Sequence, residues 1–203
     1  MDMKRKYITL ILLLILALLG WGLFLYQYIQ FKNKDNYHGI LYYKEAPNLT
    51  LTDHNGKRVT LSQFRGKVVL ISWGYTKCPD ICLTTLSVLR DVMKELGNLE
   101  GKVQVLFVTV DPERDSVEKL NAYIPSFHKS FIGLTGTPHE IDKVAKDYNI
   151  FYIKNFSDSW AGYLMDHTSS VYMIDPQGRL FLTYTYDKLD SKAIARDIRK
   201  ILK

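Results

Sequence analysis

Lys67 to Leu86 reads KVVLISWGYTKCPDICLTTL. Its first part, Val68–Gly74, is an almost unbroken apolar run of strand length, the pattern of a strand covered on both faces. A helix is predicted immediately after it, from about Pro79 to Leu96. Its apolar positions Cys82, Leu86, Leu89, Met93 and Leu96 recur three or four apart, and Gly97 is a suitable stop. A buried strand that hands over to an amphipathic helix within a few residues is the unit of an α/β fold.

Working outward, the same alternation continues. Val103–Val110 (VQVLFVTV) is a second buried strand, closed by Asp111-Pro112. Residues 116–124 read as a helix, and Phe131–Leu134 as a short strand. Thr137-Pro138-His139-Glu140 opens another helix, with Thr137 as N-cap, Pro138 at the first turn and Glu140 completing a capping box. Ser170–Asp175 and Arg179–Tyr186 form a hairpin around Pro176-Gln177-Gly178, and Asp190 or Ser191 caps a final helix. Upstream, Leu49–Asp53 and Lys57–Leu61 flank Asn55-Gly56, a strong hairpin signal.

The N-terminus is a different material. From Tyr7 to Phe31 no residue is charged, whereas about 20 apolar residues suffice to cross a bilayer as a helix. Lys4, Arg5 and Lys6 precede the run; Lys32 and Lys34 follow it, with Asp35 close by. The short leading segment favours an N-in helix with the rest of the chain exported. A cleaved signal peptide would have a shorter apolar region and an A-x-A-like site. We therefore expect residues 1–31 to be a transmembrane anchor, 32–45 a juxtamembrane linker and 46–203 one folded domain. The lack of an Arg- and Ser-rich import signal favours a bacterial cytoplasmic membrane, with the domain on the extracytoplasmic side.

The whole chain has 203 residues, a net charge of +6 and 47% hydrophobic residues. Its mean hydropathy is −0.10. These averages exclude a disordered chain and a polytopic membrane protein. No basic-aromatic block argues for a nucleic-acid partner.

The two cysteines of the chain are Cys78 and Cys82, in Cys-Pro-Asp-Ile-Cys at the strand–helix junction. On a helix, a spacing of four puts two sulfurs on one face, with Cβ atoms about 5–6 Å apart. A helix N-terminus favours thiolates, and the open end of an α/β sheet is where ligands bind. A structural disulfide closing so short a loop adds little constraint to the unfolded chain. The pair could be a redox disulfide or a metal site. A thioredoxin-like redox centre has two residues between its cysteines rather than three. Two thiolates suit Cu(I), and a nearby imidazole would extend the site to Cu(II). Of the histidines, His38, His54, His128 and His139 read as solvated surface residues. His167, in Asp166-His167-Thr168-Ser169-Ser170, stands in a loop just before the core strand Ser170–Asp175, but spacing alone does not bring it to the cysteines.

Taken together, Gly74–Thr85 (GYTKCPDICLTT), Val108–Asp115 (VTVDPERD), Gly133–Pro138 (GLTGTP) and Asp166–Gly178 (DHTSSVYMIDPQG) resemble the Sco/SenC family. The resemblance spans about residues 45–203. It implies a thioredoxin-like fold, in its peroxiredoxin-like variant, with an extra N-terminal β-hairpin. It implies a copper chaperone, not an enzyme by turnover, that helps assemble the binuclear copper centre in subunit II of cytochrome c oxidase. Carried over by position, Cys78, Cys82 and His167 match the copper ligands. Asp80 matches an acidic position beside them, and Asp111 one that orders the nearby loop; helix-end charge and a turn cap are the alternative readings. The family's proline after the second cysteine is replaced by Leu83, which touches helix geometry more than ligation. Two other functions compete: a thiol–disulfide oxidoreductase that reduces the subunit II cysteines, and a thiol peroxidase. The peroxidase reading lacks the P-x-x-x-T that leads into such a cysteine.

Overall fold

Hydrophobic periodicity accounts for most elements of the computed structural model, which describes residues 3–34, 37–156 and 162–203. In chain order these are α1 (Met3–Lys34), β1 (Ile40–Glu45), β2 (Thr50–Asp53), β3 (Arg58–Thr60), β4 (Val68–Gly74) and α2 (Ile81–Leu96). They continue with β5 (Val103–Thr109), α3 (Val117–Tyr123), β6 (Ile132–Thr135), α4 (Pro138–Asp147), β7 (Tyr152–Phe156) and β8 (Tyr163–His167). Last come β9 (Val171–Ile174), β10 (Arg179–Tyr184) and α5 (Ser191–Ile201).

Two units divide the chain, residues 1–37 and 38–203. Among the described residues, one helix is long and apolar enough to cross a membrane: Tyr7–Tyr28 within α1, with a mean hydropathy of 2.8. At 1.5 Å per residue this stretch spans about 33 Å, enough for a hydrocarbon core of about 30 Å. The side chains of Lys4, Arg5, Lys6, Lys32 and Lys34, and the whole of Asp35, lie outside the described residues.

The second unit is built on an eight-stranded sheet in the order β1-β10-β9-β4-β5-β6-β2-β3. β4, β5 and β6 are parallel at its centre; β9 and β10 extend it antiparallel on one side and the β2–β3 hairpin on the other. Every residue of β4 and β5 is buried, as their largely apolar runs lead one to expect, with Ser72, Gln104 and Thr109 the polar residues taken in. Alternate residues serve opposite faces. Val69, Ile71 and Trp73 join a cluster with Ile141, Val144 and Ala145 of α4. Val68, Leu70 and Ser72 point the other way, to the face on which α2 packs along α5. The Thr137–Glu140 capping box opens α4, and Asp190 accepts from Ala193 N–H to cap α5.

Two elements were not legible. Residues 40–45, read as the end of a linker, form β1 on the sheet edge, paired with β10. Every β1 residue is exposed and Tyr43 has φ +50°, so no apolar alternation marks it. The β7–β8 hairpin forms a separate two-stranded sheet whose residues are half-buried or exposed except for buried Met165, and His167 ends β8 rather than lying in a loop.

The start of the second unit is tied to its last helix by one buried carboxylate. Asp197 accepts from the backbone N–H of His38 and Gly39, both at 3.0 Å, and from Tyr184 O–H at 3.1 Å. Asp197→Ala removes the charged acceptor that these three donors share. The expected loss is about 3 kcal/mol, or a Tm lower by about 10 °C, measured by thermal unfolding of the full chain in detergent.

Candidate metal centre

Gly74 ends β4, and its missing side chain makes room for the site. A Cβ there would lie 2.7 Å from the Cys82 sulfur and 2.9 Å from the Phe107 ring. The chain then turns, with Cys78 N–H donating to Tyr75 C=O at 3.2 Å, before α2 starts at Ile81 behind the N-cap Asp80. Cys78 is therefore on the turn and not on the helix, as its spacing from Cys82 had suggested. The cause is local: a residue that precedes proline is disfavoured in helical conformation, and Pro79 follows Cys78. The sulfurs still meet. Cys82 lies in the first turn of α2, where backbone N–H groups lack partners, and its N–H donates to the Cys78 sulfur at 3.5 Å. Both cysteines are free, Cys82 buried and Cys78 half-buried.

His167 arrives from the other sheet. Its Nε2 lies 3.6 Å from the Cys82 sulfur, and its Nδ1 lies 2.9 Å from Thr168 C=O. A carbonyl only accepts, so Nδ1 carries a proton, and Nε2 faces the sulfurs: in the imidazolium it donates to a thiolate, and in the neutral ring its lone pair is free for a metal ion. The donor atoms of Cys78, Cys82 and His167 lie within 4.8 Å of one another. An open cavity of about 390 Å³ beside them is lined by Tyr75, Cys78, Pro79, Ile81, Met165 and His167, among others. Tyr75 sets its ring edge-on to His167, with centroids 6.1 Å apart.

The two thiols are not equivalent, contrary to the expectation of two thiolates. A hydrogen bond from Cys82 S–H, another with His167, and the backbone N–H groups of Asp80 and Cys82 together hold Cys78 far below the ordinary thiol range, against burial. Cys82 is pushed up by giving its proton to Cys78, by burial and by the charge beside it. At neutral pH the pair is one thiolate and one thiol sharing a proton, open to a soft metal ion or to an electrophilic sulfur.

The two acidic positions do different things. The Asp80 carboxylate is exposed and accepts from Thr84 O–H at 3.4 Å; its backbone N–H, not its charge, serves Cys78. Asp111 is buried and pairs with Arg114, and it accepts from Tyr163 O–H at 2.9 Å. Arg114 stacks 3.5 Å over the Tyr163 ring and donates to Tyr163 C=O at 3.0 Å. Asp111 thus holds the hairpin that carries His167. Arg114 and Tyr163 escaped the sequence reading because one is a loop arginine and the other lies on a strand without alternation.

The other histidines stand apart from the centre. His54 is a correction: it is buried, its Nδ1 accepting from Gly133 N–H at 2.9 Å. His38 and His128 are half-buried, on Lys188 C=O and Glu100, and His139 is exposed.

Comparison with known proteins matches residues 43–203 to a family model described as SCO1/SenC. The mitochondrial protein SCO2 homolog of Bos taurus is 36% identical over 155 residues, 75% of this chain and 58% of that protein. The chain therefore spans somewhat more than half the length of that relative. The structure of Bradyrhizobium japonicum ScoI with copper bound is 36% identical, covering 78% of this chain and 99% of that one, with a TM-score of 0.71. That of BsSco, described as a member of the Sco family of cytochrome c oxidase assembly proteins with a disulfide switch, is 25% identical. It covers 81% of this chain and 98% of that one, with a TM-score of 0.61.

The inequality of the thiols has a direct readout. Iodoacetamide should alkylate Cys78 at a rate that stays flat down to about pH 6, whereas an ordinary cysteine loses about tenfold per pH unit below its pKa of about 8.5. His167→Ala, by removing one hydrogen bond to the thiolate, should move the fall to higher pH. Peptide mass spectrometry across pH measures both, and an ordinary profile for Cys78 would refute the asymmetry.

Proposed function

The chain belongs to the SCO1/SenC family, and on that premise we propose that it is a membrane-anchored copper metallochaperone for cytochrome c oxidase assembly. Its recipient is the binuclear copper centre of subunit II. The observation that carries this is the convergence of two sulfurs and one imidazole nitrogen within 4.8 Å at the open end of a rigid sheet. Those donors fit copper: thiolates hold Cu(I), and the added imidazole accommodates Cu(II). Cys78, Cys82 and His167 would hold the ion as cargo; Asp80 and Asp111 would position them. The copper-bound state of the Bradyrhizobium relative supports the same reading.

The helix over Tyr7–Tyr28 supports a single-pass anchor; the basic residues ahead of it favour a folded unit on the extracytoplasmic side of a bacterial cytoplasmic membrane. On this reading residues 1–31 are the anchor and the copper-binding domain runs to residue 203.

A copper titration of the full chain against Cys78→Ala, Cys82→Ala and His167→Ala tests the ligand set. The wild type should bind one copper per chain and, with Cu(II), show a sulfur-to-metal charge-transfer absorption. Each cysteine variant should weaken binding by at least about 100-fold, more than the 10–100-fold that outer partners of a metal site cost. His167→Ala should keep Cu(I) and lose Cu(II). Unchanged binding in all three variants overturns the reading.

One observation favours a second role. A half-buried thiolate beside a protonated partner thiol is also the arrangement of a dithiol reductant. If His167→Ala abolishes oxidase assembly while dithiol exchange is undiminished, reduction alone is not the function.

A further inference from the structure

Asp115 lies in the loop between β5 and α3, is completely buried, and takes no part in the chemistry described so far. Its carboxylate reaches across to the turn that carries Cys78. Oδ2 accepts from Thr76 N–H at 2.9 Å and from Thr109 O–H at 2.7 Å, and Oδ1 accepts from Thr76 O–H at 2.6 Å. Both hydrogen-bonding groups of Thr76 on that side are thus held by one side chain, 39 residues away in sequence. The anchor is itself fixed. Asp115 N–H donates to Asp111 C=O at 2.9 Å, and its own C=O accepts from Thr135 O–H at 3.0 Å. Thr109 Oγ1 in turn accepts from Asp111 N–H at 3.0 Å. This joins Asp115 to the residue that grips Arg114 and Tyr163 on the hairpin of His167.

Cys82 needs little such support, being buried on a helix. Cys78 does need it. It sits on a turn outside α2, where the hydrogen bond to Tyr75 C=O is otherwise the nearest restraint on its backbone. We propose that Asp115 is the positioning residue of the centre. It clamps Thr76 so that the Cys78 sulfur is held over Cys82 before any metal or disulfide partner arrives. Burial, with the Asp111 charge beside it, holds the pKa of Asp115 above the ordinary carboxylate value, and the hydrogen bonds from Thr76 and Thr109 offset this only in part.

This inference rests on Cys78 and Cys82 being the working pair, and its test is free of metal. Equilibration with glutathione converts the dithiol and one oxidised glutathione into the protein disulfide and two reduced glutathiones. The equilibrium constant is the effective molarity of the two sulfurs. Asp115→Asn and Thr76→Ala should each lower it by at least about tenfold, the loss expected from one charged buried hydrogen bond. The double variant should fall little further than Asp115→Asn alone, because both act through the same contact. Thr135→Val, which removes the hydroxyl from the Asp115 carbonyl, should lower Tm yet leave the effective molarity within twofold.

If Asp115→Asn does not fold, Thr76→Ala decides. Wild-type effective molarity in the variants at 76 and 115, or a fall in Thr135→Val as large as theirs, overturns the proposal. A wild type that binds no copper but shows the predicted ratios would overturn the chaperone function and leave the positioning role standing.

Discussion

The centre depends on one close approach. The Cys82 sulfur presses against the backbone of Gly74 at the end of β4, a fully buried strand, where no Cβ could fit. That contact fixes the first turn of α2 relative to β4. It thereby aims an unpartnered backbone N–H at the position of Cys78. The electrostatics follow from the packing: the donor that lowers one thiol is supplied by the helix holding the other.

This explains why two chemically identical residues, four apart, end in opposite states. A buried sulfur with a charged neighbour cannot also ionise without placing two negative charges side by side in a poor dielectric. The proton therefore stays on the deeper atom, and the shallower one faces the cavity. Asymmetry of this kind needs no third residue to create it. His167 adds to it from the far side, its tautomer set by the Thr168 carbonyl.

The parts of the molecule built on a buried apolar face were legible in the sequence. β4, β5, α2, α4 and the Asn-Gly hairpin follow from periodicity and caps, because burial selects residues at a fixed period. β1 and the β7–β8 hairpin were not legible, because exposed or half-buried strands carry no such selection; Ile153 is 61% exposed and Phe156 82%. The cysteine pair announced itself by composition and place, although Pro79 moved Cys78 off the helix. His167 could be brought to the cysteines only by resemblance, since 85 residues and two unmarked strands lie between. Asp115 gave no signal at all. A carboxylate after an Asp-Pro turn reads as a helix-start charge, and nothing local shows that it faces inward.

The hairpin that carries His167 is hydrogen-bonded as its own two-stranded sheet, separate from the ladder that holds the cysteines. The three donors therefore stand on two sheets that meet through side chains. The hairpin is held by Tyr163 on Asp111 and Arg114, by Lys154 on Glu113, by Tyr152 on Asp142 and by Met165 buried in the core, and by no rung of the main sheet. Two sulfurs come from the β4–α2 junction and the nitrogen from the hairpin, so the donor set is complete only while that hairpin is seated on the domain.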